Sequence, residues 1–213
     1  MPRAAPTAKP AQAQRREAIV ATATRLFAKL GYAGCEMDRV AAGIRIAKGT
    51  LYLYFPSKEE LFYACVDTGM RQLQQAVEQA ADKEADPLDR IRIGIYAYLE
   101  FFDAHPDLAE LIIQERASFK NRKRPTYFEH RDANRGPWRE LYTLLMQQGR
   151  LRDDLPVERL LDTVGNLLYG TMFTNHFLQR TVPLTDQYEA LLEILLRGML
   201  SDEHRGDRGR RKK

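Results

Sequence analysis

The apolar residues of this chain recur at steps of three and four from about residue 15 to residue 200, and no segment alternates with a period of two. Such spacing lines one face of an α-helix, whereas a half-buried strand needs strict alternation. In the first run Ile19, Leu26 and Phe27 precede Gly31, a residue typical of a helix C-terminus. We therefore predict an all-α fold of about nine helices, with a small N-terminal lobe and a larger C-terminal one.

Caps and prolines set several boundaries along the chain. Ser57 followed by Glu60 forms a capping box that opens a long helix, and Asp86-Pro87 opens the next one with proline in the first turn. Ahead of them, two short helices are predicted over 36–42 and 47–54, ending before Pro56. Residues 125–148 are treated as one run, and the last helix is expected to begin at Thr185-Asp186.

Several classes of protein are excluded by composition and motif. No stretch approaches 18 uncharged apolar residues, so no membrane span is expected, and the N-terminus lacks the apolar region of a secretory signal. Cys35 and Cys65 are the only cysteines, which argues against a disulfide framework and for a cytoplasmic protein. No spacing of His, Cys or acidic residues predicts a metal site, and no motif predicts a cofactor or an active site.

The charge is unevenly distributed. Residues 1–60 hold 10 Lys/Arg against 5 Asp/Glu, residues 61–196 hold 16 against 21, and residues 197–213 hold 7 against 3. A basic front on an acidic body favours contact between the front and a polyanion, although a merely solvated surface explains the same excess.

The two short helices, braced by the longer helix before them, match a helix-turn-helix. If Leu51 faces the core, Lys48 and Thr50 remain outward near the start of the second short helix. Small and basic residues at that position allow close approach to base edges in the major groove. Short helix pairs also occur as plain packing units, so spacing alone leaves both interpretations open.

Four segments in this region resemble the tetracycline-repressor (TetR) family of bacterial transcriptional regulators. They are REAIV at 16–20, LFAKLGY at 26–32, MDRVA at 37–41 and KGTLYLYFPSKEEL at 48–61. The resemblance covers roughly residues 15–65 and implies a homodimer that reads a double-stranded operator. It also implies an inducer site in the C-terminal lobe and no enzymatic activity.

Carried over by position, the resemblance implies groove-facing residues at Ala47, Lys48, Gly49, Thr50 and Leu53, and phosphate-clamping residues at Tyr52, Tyr54 and Lys58. Arg39 and Arg45, two cations of the same region, are further candidate DNA contacts. Two positions depart from the family pattern. Cys35 stands where many relatives have a threonine N-cap, and Ile44-Arg45 stands where a small Ala-Gly pair is usual in the turn. We expect a weaker cap, a turn that is bent differently, and an Arg45 that either contacts phosphate or is solvated.

The C-terminal lobe is rich in aromatic residues, most of which are expected in the core. A ligand pocket would draw on the same set together with nearby polar groups, namely Tyr98, Phe102, Gln114, Trp138, Tyr142, Tyr169, Phe173 and His176. The last two long helices have broad apolar faces, one of which is expected to meet a second subunit through Leu160, Val164, Leu168, Leu191, Leu195 and Met199.

The sequence thus predicts a flexible arm at 1–13, a DNA-binding domain at 14–60, a ligand-binding and dimerisation domain at 61–200 and a disordered basic tail at 201–213. The favoured function is a repressor released from its operator by a small-molecule inducer. The alternatives are a helical small-molecule-binding protein without specific DNA readout, and a DNA binder that ignores sequence.

Overall fold

The structure is a computed structural model that describes residues 8–201, with side chains from residue 11 onward. In this range the protein is helical, without a named strand, as predicted. Its helices are α1 (Ala8–Gly34), α2 (Met37–Gly43), α3 (Lys48–Tyr54), α4 (Lys58–Ala81), α5 (Pro87–Ala104), α6 (Pro106–Ser118), α7 (Thr126–Ala133), α8 (Arg135–Gln147), α9 (Val157–Phe177) and α10 (Tyr188–Met199), with a 3-10 helix at Leu184–Gln187.

The N-terminal helix differs from its prediction at one end and agrees at the other. It begins at Ala8, so residues 8–13, predicted as part of a flexible arm, are helical. Alanine and glutamine favour a helix, and Pro10 lies in the first turn, where its missing N–H has no intrahelical partner to lose. At the other end Gly31 has φ 74° and interrupts the helical geometry, as predicted. Residues 1–7 of the predicted arm lie outside the described range.

Two other boundaries correct the sequence analysis. The run at 125–148 is divided into α7 and α8, because Pro137 cannot donate a backbone hydrogen bond to a continuing helix and is tolerated only in the first turn of α8. The segment at Thr185 belongs to the 3-10 helix, and α10 begins only at Tyr188. The predicted basic tail is described only at Ser201, since residues 202–213 lie outside the described range.

The described residues form two compact units whose boundary differs from the predicted one at residue 60. The first unit contains residues 8–71 and 110–128, and the second contains residues 72–109 and 129–201. Helices α4, α6 and α7 each contribute residues to both units. No helix within residues 8–201 is long and apolar enough to cross a membrane.

The first unit is organised around large side chains with no exposed surface, among them Ile19, Phe27 and Leu51. The returning segment at 110–128 packs here through Phe119, whose ring centroid lies 4.7 Å from that of Tyr32. Its Glu115 is buried, accepts the backbone and hydroxyl hydrogens of Thr126, and pairs with Arg122. These bonds explain why a charged side chain is tolerated in the core of this unit.

The second unit is held by two carboxylates as well as by its apolar core. Asp86 caps α5 through the backbone amides of Leu88 and Asp89, as its position before Pro87 predicted. Arg150 also donates to both of its carboxylate oxygens, at 2.8 and 3.0 Å.

Asp103, the second of these carboxylates, accepts the backbone N–H groups of Leu184 and Thr185. The start of the 3-10 helix is thereby held against α5.

Candidate nucleic-acid interface

The turn between α2 and α3 depends on Arg45, which adopts a left-handed conformation with φ 57°. Its N–H donates to the carbonyl of Ala42 and the N–H of Ile46 to that of Ala41, which is the hydrogen-bonding pattern of a Schellman motif. Glycine is the residue that this position normally favours. The turn therefore keeps a common helix-ending geometry although an arginine occupies its left-handed position.

The start of α2 corrects the prediction for Cys35. The N-cap is Glu36, whose carbonyl accepts the N–H groups of Arg39 and Val40 and whose side chain makes no capping bond. Cys35 lies one residue earlier and is fully buried. Burial raises the pKa of its thiol, an effect that Lys58 and Arg39 only partly oppose.

One side of α3 is anchored in the first unit, and the other faces solvent. Leu51 is 0% exposed and Phe55, directly after the helix, is 3% exposed. Leu53, two residues after Leu51 in the same helix, is 85% exposed. This contrast results from the short helix being held by only one of its faces.

Most of the residues proposed to contact DNA lie on the solvent-facing surface of α2, the turn and α3. The exposed ones are Arg39, Arg45, Ala47, Lys48, Gly49, Tyr52 and Leu53, and the partly exposed ones are Thr50, Tyr54 and Lys58. The surface formed by these residues is called the α3 face below. It joins cations, hydroxyl groups and small side chains, the combination that can meet phosphates and base edges.

Two cations of this region have protein partners that the sequence analysis did not foresee. The Nζ atom of Lys48 lies 2.8 Å from Oδ1 of Asp38, and this hydrogen bond raises the pKa of Lys48. Lys58 donates to the carbonyl of Ala33 at 3.2 Å and lies 4.8 Å from the ring centroid of Tyr32. Lys58 therefore helps to hold α4 to the end of α1, in addition to any contact with phosphate.

Arg16 is a further residue that the sequence analysis passed over. Its guanidinium carbon lies 4.9 Å from the ring centroid of Phe55, so α1 contacts the residue that follows α3. Such cation–π contacts bridge helices without any spacing signal in the sequence. Only the folded first unit reveals the role of Arg16 in bracing α3.

The predicted pocket residues divide between the two units. Tyr98, Phe102 and Tyr142 are buried in the second unit, and burial raises the pKa of the Tyr142 hydroxyl. The remaining members of the second unit, namely Trp138, Tyr169, Phe173 and His176, are partly exposed.

Gln114 belongs to a different unit from the other predicted pocket residues. It lies in the first unit and donates its amide N–H to the carbonyl of Phe27 at 3.0 Å. The sequence placed Gln114 with the aromatic set because residues 61–200 were predicted to form one domain, and only the folded chain shows which unit each residue joins.

The predicted dimer residues are largely covered by their own chain. Leu160, Val164, Leu168, Leu195 and Met199 are at most 9% exposed, and Leu191 is partly exposed. Their apolar stripes pack inside the second unit, because the widest apolar face of each helix packs against the core. Large apolar side chains exposed on this unit are instead Leu144, Phe177, Leu178, Val182 and Ile194.

In the part of the chain that the structure describes, no group of three or more His, Cys, Asp or Glu side chains could hold a metal ion.

The geometry defines a class: an all-helical protein whose N-terminal unit carries a helix-turn-helix with its second helix exposed. Residues 19–65 match the family described as bacterial regulatory proteins, tetR family. Over these residues the chain is similar to TetR-family regulators, in agreement with the motifs of its first 65 residues.

A curated relative is similar to this chain in sequence, and two solved structures are similar to it in fold. The chain is 35% identical over 109 residues to the HTH-type transcriptional regulator EthR of Mycolicibacterium smegmatis, a match that covers 51% of this chain and 50% of EthR. The chain thus spans about half the length of the curated relatives it matches.

Its fold is similar to that of the fatty acid degradation regulator FadR from Bacillus halodurans, with a TM-score of 0.77, 19% identity and coverage of 86% and 95% of the two chains. The structure of FadR from Bacillus subtilis in complex with stearoyl-CoA is also similar, with a TM-score of 0.72 and 19% identity. The match covers 85% of this chain and 98% of the FadR chain.

Proposed function

We propose that this protein is a sequence-specific DNA-binding transcriptional regulator that reads its operator with α3. The observation that carries the proposal is the α3 face, where Leu53 and Tyr52 are exposed while Leu51 holds the helix in the core. Such a helix can enter a major groove without disturbing its own fold.

We expect the α3 face to divide its contacts between bases and backbone. Lys48 and Thr50, near the start of α3, are placed for base edges, where lysine pairs with guanine and threonine meets a thymine methyl. Tyr52 and Tyr54 supply hydroxyl groups for phosphate oxygens. Arg39 and Arg45 are exposed cations on α2 and in the turn, and we assign both to the phosphate backbone.

We further propose that the protein acts as a homodimer, so that two copies of α3 read two half-sites. Because the predicted stripe is buried in the protomer, we now assign the contact to exposed positions of the second unit. Ile194 of α10 is 68% exposed, which makes it the first of these positions to test. Ile194→Glu should weaken the dimer in sedimentation analysis, whereas an unchanged dimer would place the contact elsewhere.

Regulation is proposed to come from a small molecule that binds the second unit and favours a dimer geometry with lower operator affinity. The protein would then be a cytoplasmic repressor. Stearoyl-CoA, present in the Bacillus subtilis FadR structure, is one probe for a first ligand screen. Release of bound DNA by a probe supports repression with induction, and tighter binding would point to a corepressor.

The decisive experiment is a titration of the purified protein against the DNA upstream of its own gene, with random duplex as competitor at about 150 mM salt. Retention of the upstream DNA is expected. A parallel selection from a randomised duplex library finds the operator if it lies elsewhere. Absence of any preferred sequence in both would leave a helical small-molecule-binding protein or a DNA binder that ignores sequence.

Two variants test the assignment of contacts. Lys48→Ala and Tyr52→Phe should each weaken operator binding, Lys48→Ala by about tenfold, which corresponds to about 1.4 kcal/mol. Arg71→Ala is the matched control, because Arg71 is an exposed cation of the same unit that pairs with Asp67 on α4. Normal operator affinity in both test variants, with the dimer intact, would refute the assignment.

A further inference from the structure

The ion pair between Asp38 and Lys48 brings an acidic group into the α3 face. Asp38 lies in the first turn of α2 and Lys48 in the first turn of α3. Their side chains are 63% and 57% exposed, and Oδ1 and Nζ are 2.8 Å apart. A carboxylate at this position is unexpected on a surface that is to meet phosphates, because it repels them.

The chemistry of the ammonium group explains how the pair can assist recognition. Lysine has three N–H donors, so one can bind Asp38 while the others remain available to a base edge. Its four-carbon chain is flexible, and a partner on α2 restricts where the ammonium lies. The exposed pair is also weak enough to be exchanged for another acceptor.

Random DNA presents a different situation. Every duplex offers phosphates, and a flexible lysine binds them without regard to sequence. With Asp38 in place, a phosphate contact by Lys48 requires loss of the ion pair and leaves a carboxylate close to the backbone. Asp38 therefore penalises the contacts that carry no sequence information.

We propose that Asp38 is a positioning residue for specificity: it directs the Lys48 ammonium towards a base edge and lowers the affinity for DNA of unrelated sequence. The inference rests on the proposed DNA-reading function. It concerns a residue of α2 that acts through Lys48 rather than a further direct contact.

The test compares Asp38→Asn with the wild-type protein on two probes, a duplex selected by the wild type from a random library and a random-sequence duplex. Asp38→Asn should bind the random duplex several-fold more tightly, and its plot of log K against log salt should steepen by about 0.9, equal to one added phosphate contact. The ratio of the two affinities should fall about tenfold, and Asp38→Glu should restore most of it.

The matched control is Asp67→Asn, which removes one carboxylate from another exposed pair of the same unit, that with Arg71. It should leave the affinity ratio and the salt slope unchanged. Because the side chain of Asp38 is 63% exposed, Asp38→Asn is expected to fold, and its thermal midpoint checks this directly.

A double-mutant cycle separates positioning from plain repulsion. In the Lys48→Ala background, Asp38→Asn should no longer change the affinity ratio. If the tighter binding to random DNA persists there, Asp38 acts on phosphates alone and the inference is wrong. It is equally overturned if the wild type prefers the selected duplex and Asp38→Asn changes nothing, whereas a wild type without preference refutes the proposed function itself.

Discussion

The contact between Gly94 of α5 and Trp138 of α8 gives a quantitative test of packing in the second unit. A Cβ atom on Gly94 would lie 2.6 Å from Cη2 of Trp138 and 3.4 Å from two other ring atoms. Since carbon atoms in contact lie at about 3.5–4.0 Å, Gly94→Ala would displace the indole by about 1 Å. Overpacking of this kind costs about 1–3 kcal/mol.

Helix propensity acts in the opposite direction. Alanine is favoured over glycine by about 0.8–1.0 kcal/mol inside a helix, so we expect a net loss of about 0–2 kcal/mol in the free energy of unfolding for Gly94→Ala. Gly170→Ala in α9 is the control, because its Cβ would meet nothing within 4 Å. That variant should gain up to about 1 kcal/mol, and the difference between the two isolates the clash.

The measurement is urea unfolding at one protein concentration, followed by fluorescence. Trp138 is the only tryptophan of the chain, so the signal comes from the side chain that is displaced. Equal stability of Gly94→Ala and Gly170→Ala would refute the reasoning, because it would mean that the indole retreats without loss of packing.

Three further predictions follow from local geometry. Arg45→Gly should raise the free energy of unfolding by about 0.5 kcal/mol in thermal unfolding, because the relief of the left-handed backbone exceeds the entropy that glycine adds to the unfolded chain; a loss would refute this. Arg150 holds the pKa of Asp86 at about 2 against an ordinary 3.8. The ionised Asp86 therefore stabilises the folded state above pH 4, and this stabilisation is lost as the pH falls towards 2. Asp86→Asn should therefore lower the free energy of unfolding by about 1 kcal/mol at pH 7, a value reduced for solvent screening because the Asp86 side chain is 41% exposed. In urea titrations below pH 4 the difference from wild type should shrink. A difference that stays constant with pH would contradict the ion pair. Finally, Cys35 and Cys65 are buried, and burial raises the pKa of Cys65 to about 12. Both thiols should therefore react with Ellman's reagent only at the rate of unfolding. Rapid reaction in the native protein would show that the core is open.

Signals that lie within a few residues of each other were read correctly from the sequence. Ser57 accepts the amide hydrogen of Glu60 at the start of α4, and Gly31 adopts φ 74° and interrupts the helical geometry of α1. Caps and left-handed ends depend on bonds between near neighbours, so the residue types reveal them. The same reading failed at Cys35, since the N-cap depends on which carbonyl accepts the first helical bond and not on a preferred side chain.

Assignments at longer range depend on packing that the sequence does not specify. Gln114 was assigned to a ligand pocket, whereas its amide binds the carbonyl of Phe27, 87 residues earlier. The stripe around Leu168 and Leu195 was assigned to a second subunit, although both side chains are buried in their own unit. Periodicity shows that a face is apolar, but it does not say which neighbour covers it.

The sequence by itself determined the helical class, the helix-turn-helix and the residues that α3 can expose, because these depend on spacing and on local hydrogen bonds. The tertiary structure decided which apolar faces are buried, which unit the segment at 110–128 joins, and that Asp38 meets Lys48 across two helices. Such pairings depend on where separate helices pack against each other, and single-chain periodicity carries no information on that geometry.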